Sequence, residues 1–221
     1  MEKKSNVFAA IRYRRSVREY STKPVEKWKL DLILESARIA PSSTNSQPWR
    51  IIVVTDEDSK NLLADATPGR IKRHKWLPNC PVVLIICGAK TLLQRAAKTF
   101  RKDYSWVDIG IAGEHICLVA AELGLGTCWL GWILKDRIRK EFNIPNIWEV
   151  ICLITLGYPA GDNGRELNNN ELTTRFGSVE PLQQKGELGI GNIEAKRRYP
   201  AEKVIFYEKV SRSKKKGISL Y

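Results

Sequence analysis

Apolar positions along this chain fall into blocks whose period changes from one to the next. Phe8 and Ile11 share one face of a short helix that Ser5 or Asn6 caps and that runs to about Tyr13. Ser21-Thr22-Lys23-Pro24 reads as the start of a second helix, with the proline near its first turn. Leu30, Ile33, Leu34 and Ala37 then repeat at helical spacing until Pro41 stops them. The run Arg50-Ile51-Ile52-Val53-Val54-Thr55 predicts a strand. Asp56, Glu57 and Asp58 place negative charge at the positive end of a third helix, which carries Leu62 and Leu63. Residues 81–88 are continuously apolar, and a run of strand length without alternation predicts a strand covered on both faces.

The second half continues the pattern. Residues 91–104 read as a less regular helix. Asp108 to Leu123 is the strongest helix, with Ile109, Ala112, Ile116, Val119, Ala120 and Leu123 in phase. Apolar on more than one side and rich in small residues, it is either a central helix or a dimer core. Gly124 reads as its C-cap. A short helix over 135–142, a buried strand over 150–159 and an edge strand over 204–210 follow. Residues 161–195 have weak periodicity and read as a long excursion, a lid or a segment that wraps a partner. The reading is one domain over residues 1–210, followed by a basic tail over 211–221.

Composition narrows the function classes. The chain has 221 residues, 43% hydrophobic and 28% charged, enough for one full core. No apolar run nears the roughly 20 residues that span a bilayer. The N-terminal residues lack a signal-peptide core. A cytoplasmic protein without a membrane partner is expected. Five cysteines, at 80, 87, 117, 128 and 152, have wide spacing and apolar neighbours, which argues for reduced, mostly buried thiols. His74 and His115 lack metal-ligand spacing, so no metal site is expected. The net charge of +13 suits anionic ligands and also nonspecific nucleic-acid binding. Aromatics do not interleave with the basic residues on one strand face, so no specific nucleic-acid partner is expected.

Two stretches carry candidate chemistry. Residues 40–49 read Ala-Pro-Ser-Ser-Thr-Asn-Ser-Gln-Pro-Trp. Between the two prolines Ser42, Ser43, Thr44, Asn45 and Gln47 offer hydrogen-bonding side chains, so this link between a helix and a strand is a capped turn or a wrap around something polar. Earlier, Arg14-Arg15-Ser16-Val17-Arg18 in an irregular or extended segment points Arg14, Ser16 and Arg18 one way. Two guanidiniums and a hydroxyl make a receptor for a phosphate and an adjacent polar ring, unless the segment is a surface basic run.

Taken together the two stretches resemble the nitroreductase family of flavin enzymes. The block Gly124-Leu125-Gly126-Thr127-Cys128-Trp129-Leu130-Gly131, the ending Leu156-Gly157-Tyr158-Pro159 and the late basic run 196–200 are similar to the family as well. The resemblance covers about residues 8–160 and 196–210. It implies an α+β fold with a mainly antiparallel central sheet flanked by helices, and an intertwined homodimer whose C-terminal strand crosses to the partner's sheet. It implies FMN at the dimer interface, with NADPH or NADH as electron donor and a small aromatic acceptor such as a nitroaromatic or quinone. Arg14, Ser16, Lys196 and Arg198 look like phosphate contacts, with Arg15 adjacent. Arg18 looks like the cation near flavin N1 and O2. Pro41, Ser42, Ser43 and Asn45 would reach the other subunit's flavin. Trp129, Leu130 and Gly131 would line the ring, and Lys72 or Lys75 would add a contact. No catalytic side chain is expected, because the bond chemistry belongs to the flavin N5. Alternatives under the same resemblance are a flavin-binding sensor or store, a reductive dehalogenase, and an enzyme that consumes flavin.

Overall fold

The computed structural model describes residues 6–68, 76–89, 104–160 and 198–209. Helix α1 spans Asn6–Tyr13, α2 Lys27–Arg38 and α3 Glu57–Asp65; the long helix α4 spans Ser105–Glu122, and α5 spans Lys135–Glu141. The strands are β1 Trp49–Val54, β2 Val82–Ala89, β3 Gly126–Leu130, β4 Trp148–Gly157 and β5 Ile205–Tyr207. They form one five-stranded sheet in the order β3-β4-β2-β1-β5. Every pairing is antiparallel except β1 with β5, so the fold is α+β with a mainly antiparallel sheet.

The sheet separates two cores, and β1 shows why its run is unbroken. Ile51 and Val53 face α2 and α4, where Ile33, Leu34, Ala37, Ile109, Ala112 and Ile116 are buried. Ile52 and Val54 face the other way, toward Leu63, Ile138 and Phe142. The same holds for β2, every residue of which is buried. All five cysteines are buried and free. Among the described residues no helix is long and apolar enough to cross a membrane.

Several boundaries differ from the sequence reading. Helix α2 begins at Lys27 rather than near Ser21–Pro24. Ser21 is diverted into other bonds: its amide donates to the Tyr158 carbonyl and its hydroxyl accepts from the Lys23 amide. Ile11 stays half-exposed, because α1 turns Ala10 inward instead. Strand β4 begins at Trp148, which pairs with Ala89 beyond a bulge at Ile86 and Cys87. Strand β5 lies on β1 of its own chain, Ile51 opposite Ile205, rather than on a partner's sheet. It is an edge strand, as expected, and is followed directly by Glu208, whose φ is 58°. Gly124, with φ 75°, closes α4: its amide donates to Ala121 and the Leu125 amide to Ala120, the two bonds of a Schellman motif. The expected helix over 91–104 (apart from Tyr104), the excursion over 161–195 and the basic tail lie outside the described residues.

Candidate active site

The arginine segment is seated by its one apolar residue. Val17 is buried, and its amide donates to the Thr127 carbonyl at 2.9 Å. It sits directly on Gly126, where a Cβ would come within 2.4 Å of Val17 Cγ2. Seating Val17 this way leaves Ser16 and Arg18 exposed on the other side of the chain. The family resemblance implies that the end of this glycine block, Trp129 to Gly131, lines a flavin ring. At Gly126 the close approach is to Val17, while at Gly131 a Cβ would meet nothing within 4 Å.

Tyr20 holds the far end of the segment. Its buried hydroxyl donates to the Val17 carbonyl at 2.8 Å and lies 2.7 Å from Thr155 Oγ1. Burial pushes the phenol well above its ordinary range, so it serves as a neutral donor. Past Tyr20 the chain pairs with the end of β4: the Ala160 amide donates to the Glu19 carbonyl at 2.9 Å, matching the Ser21–Tyr158 bond. A cleft of about 400 Å³ opens between these two stretches, lined by Arg15, Ser16, Val17, Arg18, Glu19, Pro159 and Ala160. Beneath it, burial raises the Cys128 thiol, against the pull of Arg18, the Ser16 hydroxyl and Arg14. Arg14 Nε stands 3.9 Å from Glu114 of α4. Arg15 Nη1 donates back to the Arg12 and Arg14 carbonyls.

The second candidate stretch is a separate structure. Asp108, buried in the first turn of α4, accepts from the Ser43 amide at 2.9 Å and from the Ser46 hydroxyl at 3.3 Å. Ser42 Oγ accepts from the Gln47 amide. Thr44, Asn45 and Gln47 all have left-handed backbones, φ 53°, 56° and 46°. For residues other than glycine that conformation costs about 1–2 kcal/mol each, a strain the Asp108 and Gln47 bonds must hold. Arg198 donates to Asn45 Oδ1 and to the Ile39 carbonyl, and the Tyr199 amide donates to Gln47 Oε1.

The expected site residues therefore divide. Arg15, Ser16 and Arg18 share the cleft, with Arg14 at its flank. Pro41, Ser42, Ser43 and Asn45 form the strained loop. Arg198 joins that loop rather than the early arginines: within one chain its guanidinium is held by Ile39 and Asn45. Glu114 and Asp108 lie six residues apart, about 9 Å along α4. Trp129 does not offer its ring to the cleft: the indole lies against Gly113, and its Nε1 donates to Cys117 Sγ at 3.1 Å. Leu130 is buried. Lys72, Lys75 and Lys196 lie outside the described residues. The sequence reading singled out Gln47 and Pro159 without giving them a site role, and it gave none to Asp108 or Ala160. Asp108 had a readable signal, a carboxylate in phase with the apolar face of α4. The backbone pairing that brings Pro159 and Ala160 to the arginines left none.

Residues 11–158 match the model of the nitroreductase family. The chain belongs to that family. A Methanothermobacter thermautotrophicus protein with a provisional NADH dehydrogenase/NAD(P)H nitroreductase name is 34% identical over 166 residues, 73% of this chain and 81% of its own. A Bacillus subtilis FMN reductase using NAD(P)H is 24% identical, covering 93% of this chain and 92% of its own. An FMN-dependent nitroreductase structure from Clostridium difficile R20291 is 31% identical with TM-score 0.59, covering 74% of this chain and 92% of that one. A nitroreductase family structure from Clostridium novyi NT has TM-score 0.68 at 22% identity, 92% and 93% covered, a likeness of fold.

Proposed function

We propose that this nitroreductase-family chain is an FMN-dependent oxidoreductase that carries electrons from NADPH or NADH to nitroaromatic, quinone or related planar acceptors by a ping-pong mechanism. The observation that carries this reading is the cleft in which Arg15, Ser16 and Arg18 face the Pro159–Ala160 wall. Its volume is at the scale of a small-molecule pocket. Its donors suit an anionic phosphate, and the Pro159 surface suits a flat ring. FMN, when bound, would supply the redox chemistry that no side chain of this chain offers.

The residues have the tasks of placement and charge. Ser16 and Arg15, with Arg14 beside them, hold the phosphate. Arg18 would place a fixed cation in the cleft, suited to the negative charge of a reduced flavin. In one chain the cleft lacks the loop residues Ser42, Ser43 and Asn45, and Arg198 is bound to that loop. A homodimer in which each copy's loop closes the other's cleft unites the two halves of the site. The relatives named for FMN and NAD(P)H activity support the same cofactor and donor.

Visible absorption of the purified protein, followed by anaerobic addition of NADPH or NADH, tests the reading. The expected result is a flavin spectrum that bleaches with one nucleotide and returns when a quinone or nitroaromatic is added. Flavin bands that neither nucleotide bleaches would make the protein a flavin binder without this turnover. A colourless protein that takes up no added FMN would overturn the reading.

A further inference from the structure

Tyr158 ends the apolar run of β4, and its side chain makes contacts that no core role requires. Its hydroxyl donates to the Glu26 carboxylate, 2.8 and 2.6 Å from the two oxygens. The same hydroxyl accepts from Lys29 Nζ at 2.7 Å. Lys23 Nζ stands 4.3 Å from the ring centroid. Lys29 reaches further, donating to the Leu123 carbonyl at 3.2 Å. One phenol thus joins the start of α2, the end of α4 and the end of β4. Glu26 occupies the N-cap of α2 but makes no side-chain cap bond. Burial works against its charged form, yet the Tyr158 hydroxyl, Lys29 and Lys23 more than offset that, so Glu26 titrates below its usual range. It is therefore an ionised acceptor at neutral pH, and charge-assisted bonds of this kind are the stronger ones.

The next two residues, Pro159 and Ala160, are the wall of the cleft. Pro159 has no amide to donate. The wall pairs with residues that follow the arginine segment: the Ala160 amide donates to the Glu19 carbonyl and, two residues earlier, the Tyr158 carbonyl accepts from the Ser21 amide. These bonds pair the two stretches, and Tyr158 is the residue from which the wall continues.

We propose that Tyr158 is a positioning residue. Braced by Glu26 and Lys29, it sets the Pro159–Ala160 wall against the Arg15–Arg18 segment and so fixes the shape of the cofactor cleft. This rests on the reading of the cleft as the FMN site.

The test compares Tyr158→Phe, Glu26→Ala and the double variant with the wild-type chain. Amide hydrogen exchange at Ser21 and Ala160 reads the brace without any flavin. FMN titration reads the cleft. Each single variant is expected to speed exchange at those two amides at least tenfold, with the β2 amides unchanged. Each is also expected to weaken FMN at least tenfold and to shift the absorption maximum of bound FMN toward the free value. The double variant should add little, because the two side chains act as one unit. Unchanged exchange at Ser21 and Ala160 would overturn the brace. Faster exchange throughout β2 would also overturn it, because Tyr158 would then be a stability residue alone. Local loosening with unaltered FMN affinity and spectrum would overturn its role in the cleft. A wild-type chain that binds no FMN would sink the functional reading, and the brace would then stand or fall on exchange alone.

Discussion

A missing side chain at position 126 governs the cleft more than any charged group. Val17 can seat itself only because Gly126 offers no Cβ, and the outward aim of Ser16 and Arg18 follows from that seat by alternation. Gly126→Ala would force Val17 Cγ2 out of a 2.4 Å contact. Overpacking of this kind costs about 1–3 kcal/mol. The expected outcome is a lower denaturation midpoint together with weaker FMN binding. Adding Val17→Ala should restore much of both, checked by denaturant melts and flavin titration. Rescue by the second substitution separates this account from a general loss of fold. Arg50 shows another residue-scale balance. Its guanidinium is held by the Gln47 and Trp49 carbonyls and lies beside the Trp148 and Tyr199 rings. Burial lowers its affinity for its proton.

Element junctions carry the strain and the titration. The loop between α2 and β1 holds three left-handed residues, tied to α4 by Asp108 and to the C-terminal segment by Gln47. At the other end of β1, Glu208 locks β5 in place: its Oε1 accepts from the Thr55 amide and hydroxyl at 3.0 and 2.6 Å. Its Oε2 is buried without a donor, beside the carboxylate of Asp56 that caps α3. Burial first, then Asp56, raises Glu208 above its ordinary range. Asp56, beside Glu208 and accepting from the Ser59 amide, falls to about 2. The signs are opposite. Stability from Glu208 is complete below the ordinary glutamate value and is lost as pH rises through its raised one. Stability from Asp56 is present above the ordinary aspartate value and is lost as pH falls toward 2. Glu208→Gln keeps the Oε1 acceptor and places a permanent donor beside Asp56. It is expected to melt higher than wild type at pH 8, by about 2–4 °C for each kcal/mol recovered. That difference should vanish near pH 4, where Glu208 carries its own proton, as a series of thermal melts would reveal.

Over the whole molecule, apolar side chains remain uncovered along α1 and α4. Val7 and Ile11 lie one turn apart on α1, and Trp106 and Val107 begin α4, all at least half exposed. The proposed homodimer would cover them while bringing the 42–45 loop to a second chain's cleft. Val107→Glu is expected to shift sedimentation toward the monomer and to weaken FMN binding in step. A monomeric variant with full flavin affinity would break that link. The sequence by itself determined the element types, since β2 is apolar at every position and β1 at every position but Arg50, so both must be covered on both faces. It also marked Arg14–Arg18 and residues 41–47 as the polar segments set against that core. Backbone order was legible because periodicity and proline act locally. What only the tertiary structure decided is which of these segments meet. Pairing of residues 19–21 with 158–160 built the cleft wall, Asp108 drew in the loop, and Arg198 went to Asn45 instead of the early arginines. Contacts of this kind join residues up to about 150 positions apart and depend on how strands order and helices stack, which no local pattern encodes.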